Sequence, residues 1–248
     1  MKLKKSKYLL MAMLMASSIG LTACGNNQES DKPKSNVESK VTEVMSMKGE
    51  ELNKIENDKK EKENYLVIDV RSPEEYKEGH LKFAINMPLD NFKNDYTSLE
   101  SFKNKDVVLY CNSGKKSGEA ADILVKNGFT KVYNADGVKK YNYDLVKYNN
   151  LLGSQFESAV KDSKDSTIID ARKDGDFKKA SFRGALNITP DNFKENMSKL
   201  PKDKNTPIFV YCYTGNKSAK VSNMLIKDGY TNVTNALDGT KEFNYNLK

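Results

Sequence analysis

Two short segments hold the chemistry open to this chain. Cys111-Asn112-Ser113-Gly114-Lys115-Lys116-Ser117 and Cys212-Tyr213-Thr214-Gly215-Asn216-Lys217-Ser218 both fit Cys-x-x-Gly-x-Lys-Ser. In each, a cysteine leaves an apolar run, a glycine helps a sharp turn, and a helix is expected to begin at the serine. Such a turn and the first helical turn leave several backbone N–H groups without intrahelical partners. Ringed around the sulfur, those donors form an anion cradle that the helix dipole reinforces. That setting lowers a thiol pKa and produces a reactive thiolate. The same donors stabilise a terminal persulfide anion. Lys116 and Lys217 add positive charge at the rim, where an anionic reactant would approach.

The flanking pattern says which elements place these loops. Residues 107–110 and 208–211 are continuous apolar runs, and 66–70 is one broken only by Asp69, as expected of strands buried on both faces. Residues 117–127 and 218–228 read as helices that stop at Gly128 and Gly229. Val132-Tyr133-Asn134 and Asn232-Val233 then read as further strands. The order strand, loop, helix, strand predicts a βαβ crossover and a parallel sheet. Ligands of such sheets sit beyond the carboxyl ends of the strands, where Cys111 and Cys212 both lie.

The two loops belong to an internal repeat. Asp69 and Asp170, Ala84 and Ala185, Cys111 and Cys212, and Gly128 and Gly229 are each 101 positions apart. A constant offset this long means duplicated domains rather than a solenoid. The register slips by one near the end, where Tyr141-Asn142-Tyr143 matches Phe243-Asn244-Tyr245.

From about Val41 to Lys248 the chain resembles the rhodanese family. The resemblance rests on Asp69-Val70-Arg71, on the stretch from Gly79-His80-Leu81 to Met87-Pro88, and on the cysteine loop, with matching pieces in the second copy. It implies an α/β fold of two tandem rhodanese-like domains, each a small, mostly parallel sheet flanked by helices. It also implies a sulfurtransferase of the thiosulfate:acceptor class, with catalytic Cys111 and Cys212 and with residues 112–117 and 213–218 binding the substrate. The loop cysteine takes sulfane sulfur from a donor such as thiosulfate, becomes a persulfide, and passes the sulfur to cyanide or a thiol. No cofactor is implied. The family often has Arg where Lys116 and Lys217 stand.

The N-terminus reads as an address. Lys2, Lys4, Lys5 and Lys7 precede an uncharged, largely apolar run that ends in Leu21-Thr22-Ala23-Cys24. The run is short for a membrane span and fits a secretory signal, and its end resembles a bacterial lipobox. The expectation is a signal peptide over 1–23, cleaved before a lipidated Cys24, and a disordered tether over 24–40. Domains over 41–150 and 151–248 follow, joined at the polar pair Asn149-Asn150. The protein is then exported and held by lipid on the outer face of the bacterial cell membrane. Removing the four signal lysines from a formal charge of +7 leaves +3, too little to argue for nucleic acid.

Other chemistries fit these residues less well. One His and 3 scattered Cys exclude the usual zinc clusters. Asp69 with Arg71, and Asp170 with Arg172, read as structural pairs at strand ends. His80 reads as structural, because the second copy has no His. A phosphatase or arsenate reductase of the Cys-x5-Arg type needs Arg where this chain has Ser117 and Ser218. A non-enzymatic sulfur carrier or surface-displayed binding module remains as an alternative, as does a structural disulfide. Each loop is expected to stand alone, with no residue of the other copy needed to complete it.

Overall fold

The computed structural model describes residues 43–248. The expected signal peptide, lipidated Cys24 and tether lie outside the described residues. In chain order the elements are β1 (Met45–Met47), α1 (Gly49–Asn57), β2 (Tyr65–Asp69), α2 (Pro73–Glu78), β3 (His80–Leu81), β4 (Ala84–Asn86), α3 (Leu89–Asp95), β5 (Asp106–Tyr110), α4 (Lys115–Lys126), β6 (Val132–Ala135) and β7 (Leu145–Val146). The second half adds β8 (Asn149–Leu151), α5 (Gly153–Asp162), β9 (Thr167–Asp170), α6 (Asp174–Lys179), β10 (Leu186–Asn187), β11 (Ile208–Tyr211), α7 (Asn216–Lys227) and β12 (Val233–Ala236).

Two five-stranded sheets result, ordered β1-β6-β5-β2-β4 and β10-β9-β11-β12-β8. All their pairings are parallel. The α/β architecture with flanking helices is thus the one the repeat predicts. The sheets correspond strand for strand, with β8 taking in the second the edge place that β1 takes in the first.

Alternate residues of each central strand pack on opposite faces, as the pleat requires. Leu66, Ile68, Val107 and Leu109 face Phe92, Ala120 and Leu124. Val67, Val108 and Tyr110 face Leu52, Ile55 and Tyr76. In the second sheet Phe209 and Tyr211 meet Phe156, Phe182 and Tyr245. The cluster beneath α4 continues through Ile169, Ile208, Val210 and Leu225, so one apolar core runs through both repeats.

The polar pair read as a break is instead β8. Asn149, Asn150 and Leu151 pair in register with Thr234, Asn235 and Ala236. Asn150 is buried because its side chain is hydrogen-bonded on both sides, which no hydropathy pattern registers. Its amide Nδ2 donates to the carbonyls of Lys82 (3.1 Å) and Ala84 (2.9 Å) in the first repeat. Its Oδ1 accepts from Asn235 Nδ2 in the second (2.8 Å). Tyr148 donates to Lys82 O, and β7 pairs antiparallel with β3, so the whole joint is laid onto the first repeat.

The slip of register is explained by Leu237. The first copy runs Ala135-Asp136-Gly137 and the second Ala236-Leu237-Asp238-Gly239. Leu237 is buried in the core shared by the repeats, while Asp136 and Asp238 keep equivalent bonds to the amides of Gly49 and Gly153.

Candidate active site

Cys111 and Cys212 stand one residue beyond the carboxyl ends of β5 and β11. Both are buried free thiols, not a disulfide. Strands of Val, Leu, Ile and aromatic residues, closed on both faces, bring each cysteine to a fixed point.

Each following turn depends on its glycine. Gly114 and Gly215 cap α4 and α7 with φ of +94° and +73°, the left-handed region that side chains disfavour. A Cβ on Gly215 would also collide with the Leu237 carbonyl oxygen. Because the glycine itself makes the cap, each helix starts at Lys115 or Asn216, two residues before the expected serine. Ser117 and Ser218 therefore do not cap. They sit in the first helical turn and face the sulfur.

In the first loop the amide of Gly114 donates to Cys111 Sγ at 3.2 Å, and the Ser117 hydroxyl lies 3.4 Å from it. Burial is the largest single influence on this thiol and pushes its pKa up. The Ser117 hydroxyl and the amides of Ser117, Ser113 and Gly114 together outweigh it, so the net shift is down. In the second loop Ser218 supplies both donors to Cys212 Sγ, its amide at 3.4 Å and its hydroxyl at 3.3 Å.

The other loop residues divide by task. Asn112 Nδ2 donates to Glu75 at 2.6 Å, and the Tyr213 hydroxyl donates to Asp176 at 2.5 Å. These residues tie the turns to α2 and α6 rather than pointing at a reactant. Ser113, Lys115 and Lys116 are exposed at the mouth, and the Lys116 charge acts on Glu75. Thr214 Oγ1 accepts from Asn216, and Lys217 is half-buried.

Asn216 Nδ2 also reaches Lys59 O of the first repeat at 3.3 Å. The second loop thus touches the first repeat, although the donors to Cys212 Sγ come from its own loop. The ion pair of Lys62 with Glu242, 2.9 Å long, reinforces that contact, and Glu242 also accepts from the amide of Gly239 beneath the loop. The first loop has no matching bond to the second repeat among the described residues.

Asp69 and Asp170 hold Arg71 and Arg172 in buried pairs through Nε and Nη2, and the same Nη2 of each guanidinium also donates to the carbonyl of Gly79 or Ala180. They brace the strand ends, as read from the sequence. His80 is fully buried, stacked on Tyr76 and edge-on to Tyr148, with Nδ1 donating to the Tyr76 carbonyl. Glu75, Asp176, Asn134 and Asn235 were not picked out by sequence reasoning. The signal existed, since each pair differs by the repeat offset of 101.

The model of the rhodanese-like domain matches the chain twice, over residues 50–140 and 154–246. The thiosulfate sulfurtransferase PspE of Escherichia coli is 44% identical over 80 residues, covering 32% of this chain and 77% of that protein. The tRNA uridine(34) hydroxylase of Buchnera aphidicola is 31% identical over 118 residues, covering 46% of this chain but only 38% of that protein. Among solved structures, a rhodanese with anions from E. coli is 42% identical and covers 34% of this chain and 98% of that one, with a TM-score of 0.31.

Proposed function

Because the chain belongs to the rhodanese-like domain family, and carries that domain twice, we propose that it moves sulfane sulfur from a small anionic donor such as thiosulfate to a thiol or cyanide-like acceptor. The observation that carries this reading is the sulfur of Cys111, buried yet ringed by donors that bring its pKa down. A thiolate there attacks the outer sulfur of thiosulfate. The sulfur–sulfur bond breaks, sulfite leaves with its electron pair, and the enzyme holds Cys–S–S⁻. The N–H and O–H donors that steadied the thiolate take up the charge of the persulfide. Attack of the acceptor on the outer sulfur then returns the thiolate and releases thiocyanate or a new persulfide. Cys212 performs the same steps in its own loop. Lys116 and Lys217 lower the electrostatic barrier to an anionic donor.

The test is turnover of thiosulfate and cyanide to thiocyanate, together with intact mass after thiosulfate alone. Each single variant, Cys111→Ser or Cys212→Ser, is expected to keep part of the activity and to gain one sulfur at the remaining cysteine. The double variant is expected to have none, and wild-type turnover in that variant would end the proposal. Loading without turnover would favour the non-enzymatic sulfur carrier, a reading that the partly covered second loop supports. We also propose that the protein works at the outer face of the cell membrane, held by lipid on Cys24.

A further inference from the structure

The two cysteine loops differ in one place where their sequences agree. Asn134 and Asn235 occupy equivalent positions in β6 and β12, beside α4 and α7. Asn134 Nδ2 donates to the Gly114 carbonyl at 2.9 Å, and its Oδ1 accepts from the Ser117 hydroxyl at 2.6 Å. One side chain thus grips both the turn and the hydroxyl that lie against Cys111 Sγ. Asn235 grips neither. Its Nδ2 is taken by Asn150, and its buried Oδ1 has no hydrogen-bond partner among the described residues.

The consequence shows in the serines. A hydroxyl has one proton to give. In the second loop the Gly215 carbonyl, without an asparagine, lies 3.1 Å from Ser218 Oγ, nearer than Cys212 Sγ at 3.3 Å. In the first loop Asn134 satisfies the Gly114 carbonyl, and Ser117 is left between Asn134 Oδ1 and the sulfur. Beside a neutral thiol the proton rests on Asn134. Once the sulfur is charged, the charge-assisted bond is about twice as strong as the neutral one and the proton turns to it. The Gly114 amide, steadied through its own carbonyl, is the second donor, and the second loop has no matching bond from Gly215 N among the described residues.

We infer that Asn134 is a positioning residue for the sulfur step at Cys111, and that its equivalent Asn235 serves the joint between the repeats instead. The inference rests on the sulfurtransferase reading of the loops and divides their work: Cys111 is the faster port of entry for donor sulfur.

The experiment follows alkylation of each cysteine by iodoacetamide across a pH series, resolved by peptide mass, on the full chain and on Asn134→Ala, Asn134→Asp and Asn235→Ala. Asn134→Ala lets Ser117 fall back to the Gly114 carbonyl. Asn134→Asp keeps the shape but cannot donate to that carbonyl. Both are expected to move the Cys111 profile to higher pH and to slow its loading from thiosulfate about tenfold, the scale of one lost hydrogen bond to a charged group, with Cys212 unmoved. Asn235→Ala is expected to leave the Cys212 profile in place and to lower the urea midpoint. The inference is overturned if both folded Asn134 variants keep the wild-type Cys111 profile, or if Asn235→Ala moves Cys212 as far as Asn134→Ala moves Cys111. Wild-type protein that never gains sulfur, with the Cys111 profile still moved by Asn134→Ala, would sink the sulfurtransferase reading and sustain the placement of Asn134.

Discussion

The ring of His80 lies flat on that of Tyr76, centroids 3.6 Å apart and 12° from parallel, with Nδ1 donating to the Tyr76 carbonyl at 2.9 Å. Burial, chiefly, and the nearby Arg71 charge hold its pKa down at about 4 against an ordinary 6.5. Above pH 6.5 neither state of the chain protonates this imidazole. As the pH falls toward 4, the unfolded chain takes up a proton that the fold refuses, and stability drops by about 3 kcal/mol.

Glu56 works in the opposite sense. Its carboxylate accepts from the Phe83 amide at 2.7 Å, and burial raises its pKa from 4.5 to about 7. Its contribution is complete below pH 4.5 and is lost, again by about 3 kcal/mol, as the pH rises toward 7. Glu56→Gln keeps the acceptor and removes the titration. Relative to wild type it should gain stability between about pH 5 and about pH 7.5, read as urea midpoints. An equal difference at both pH values would refute the assignment.

Ser117→Ala removes the largest of the influences that lower the Cys111 pKa. Iodoacetamide alkylation of Cys111 should then require higher pH, and thiosulfate loading near neutrality should slow by about tenfold. A Cys111 profile identical to wild type would show that the backbone amides suffice.

Asn150→Ala leaves the buried Asn235 amide without its partner and takes one of two hydrogen bonds from each of the Lys82 and Ala84 carbonyls, which keep the hydroxyls of Tyr148 and Tyr76. A buried polar group left unsatisfied costs about 1–3 kcal/mol. The variant should lose at least about 2 kcal/mol in urea unfolding. Since the apolar core is continuous through both repeats, the loss should come in one transition. Two separated transitions in wild type would mean that the joint does not couple the repeats.

Cys24→Ala should leave an unprocessed or unanchored product. Fractionation of the variant with membranes, cleaved at the normal site, would exclude a lipid on Cys24.

The sequence carried the loops and the sheets because both are written in local terms. Cys-x-x-Gly-x-Lys-Ser is contiguous, and the strands before Cys111 and Cys212 are unbroken apolar runs. The tasks of Asn112 and Tyr213 were not legible, since Glu75 and Asp176 lie 37 residues away in each case. The helix starts were misplaced because Gly114 and Gly215 cap through their backbone, leaving no side-chain cap to read. Lys62 passes for a surface lysine until the fold pairs it with Glu242, 180 positions on. Asn149-Asn150 looked like a linker because a strand buried through amide hydrogen bonds has the composition of a loop.

β8 belongs to the second sheet by its backbone and to the first repeat by the Asn150 side chain. A fragment that begins at residue 154, where the second family match starts, would lose this strand and bare the flank of β12. An uncovered strand edge is a template for another chain. Such a fragment would associate edge to edge and precipitate, whereas one cut upstream of Tyr148 would carry its own border strand and keep β12 covered.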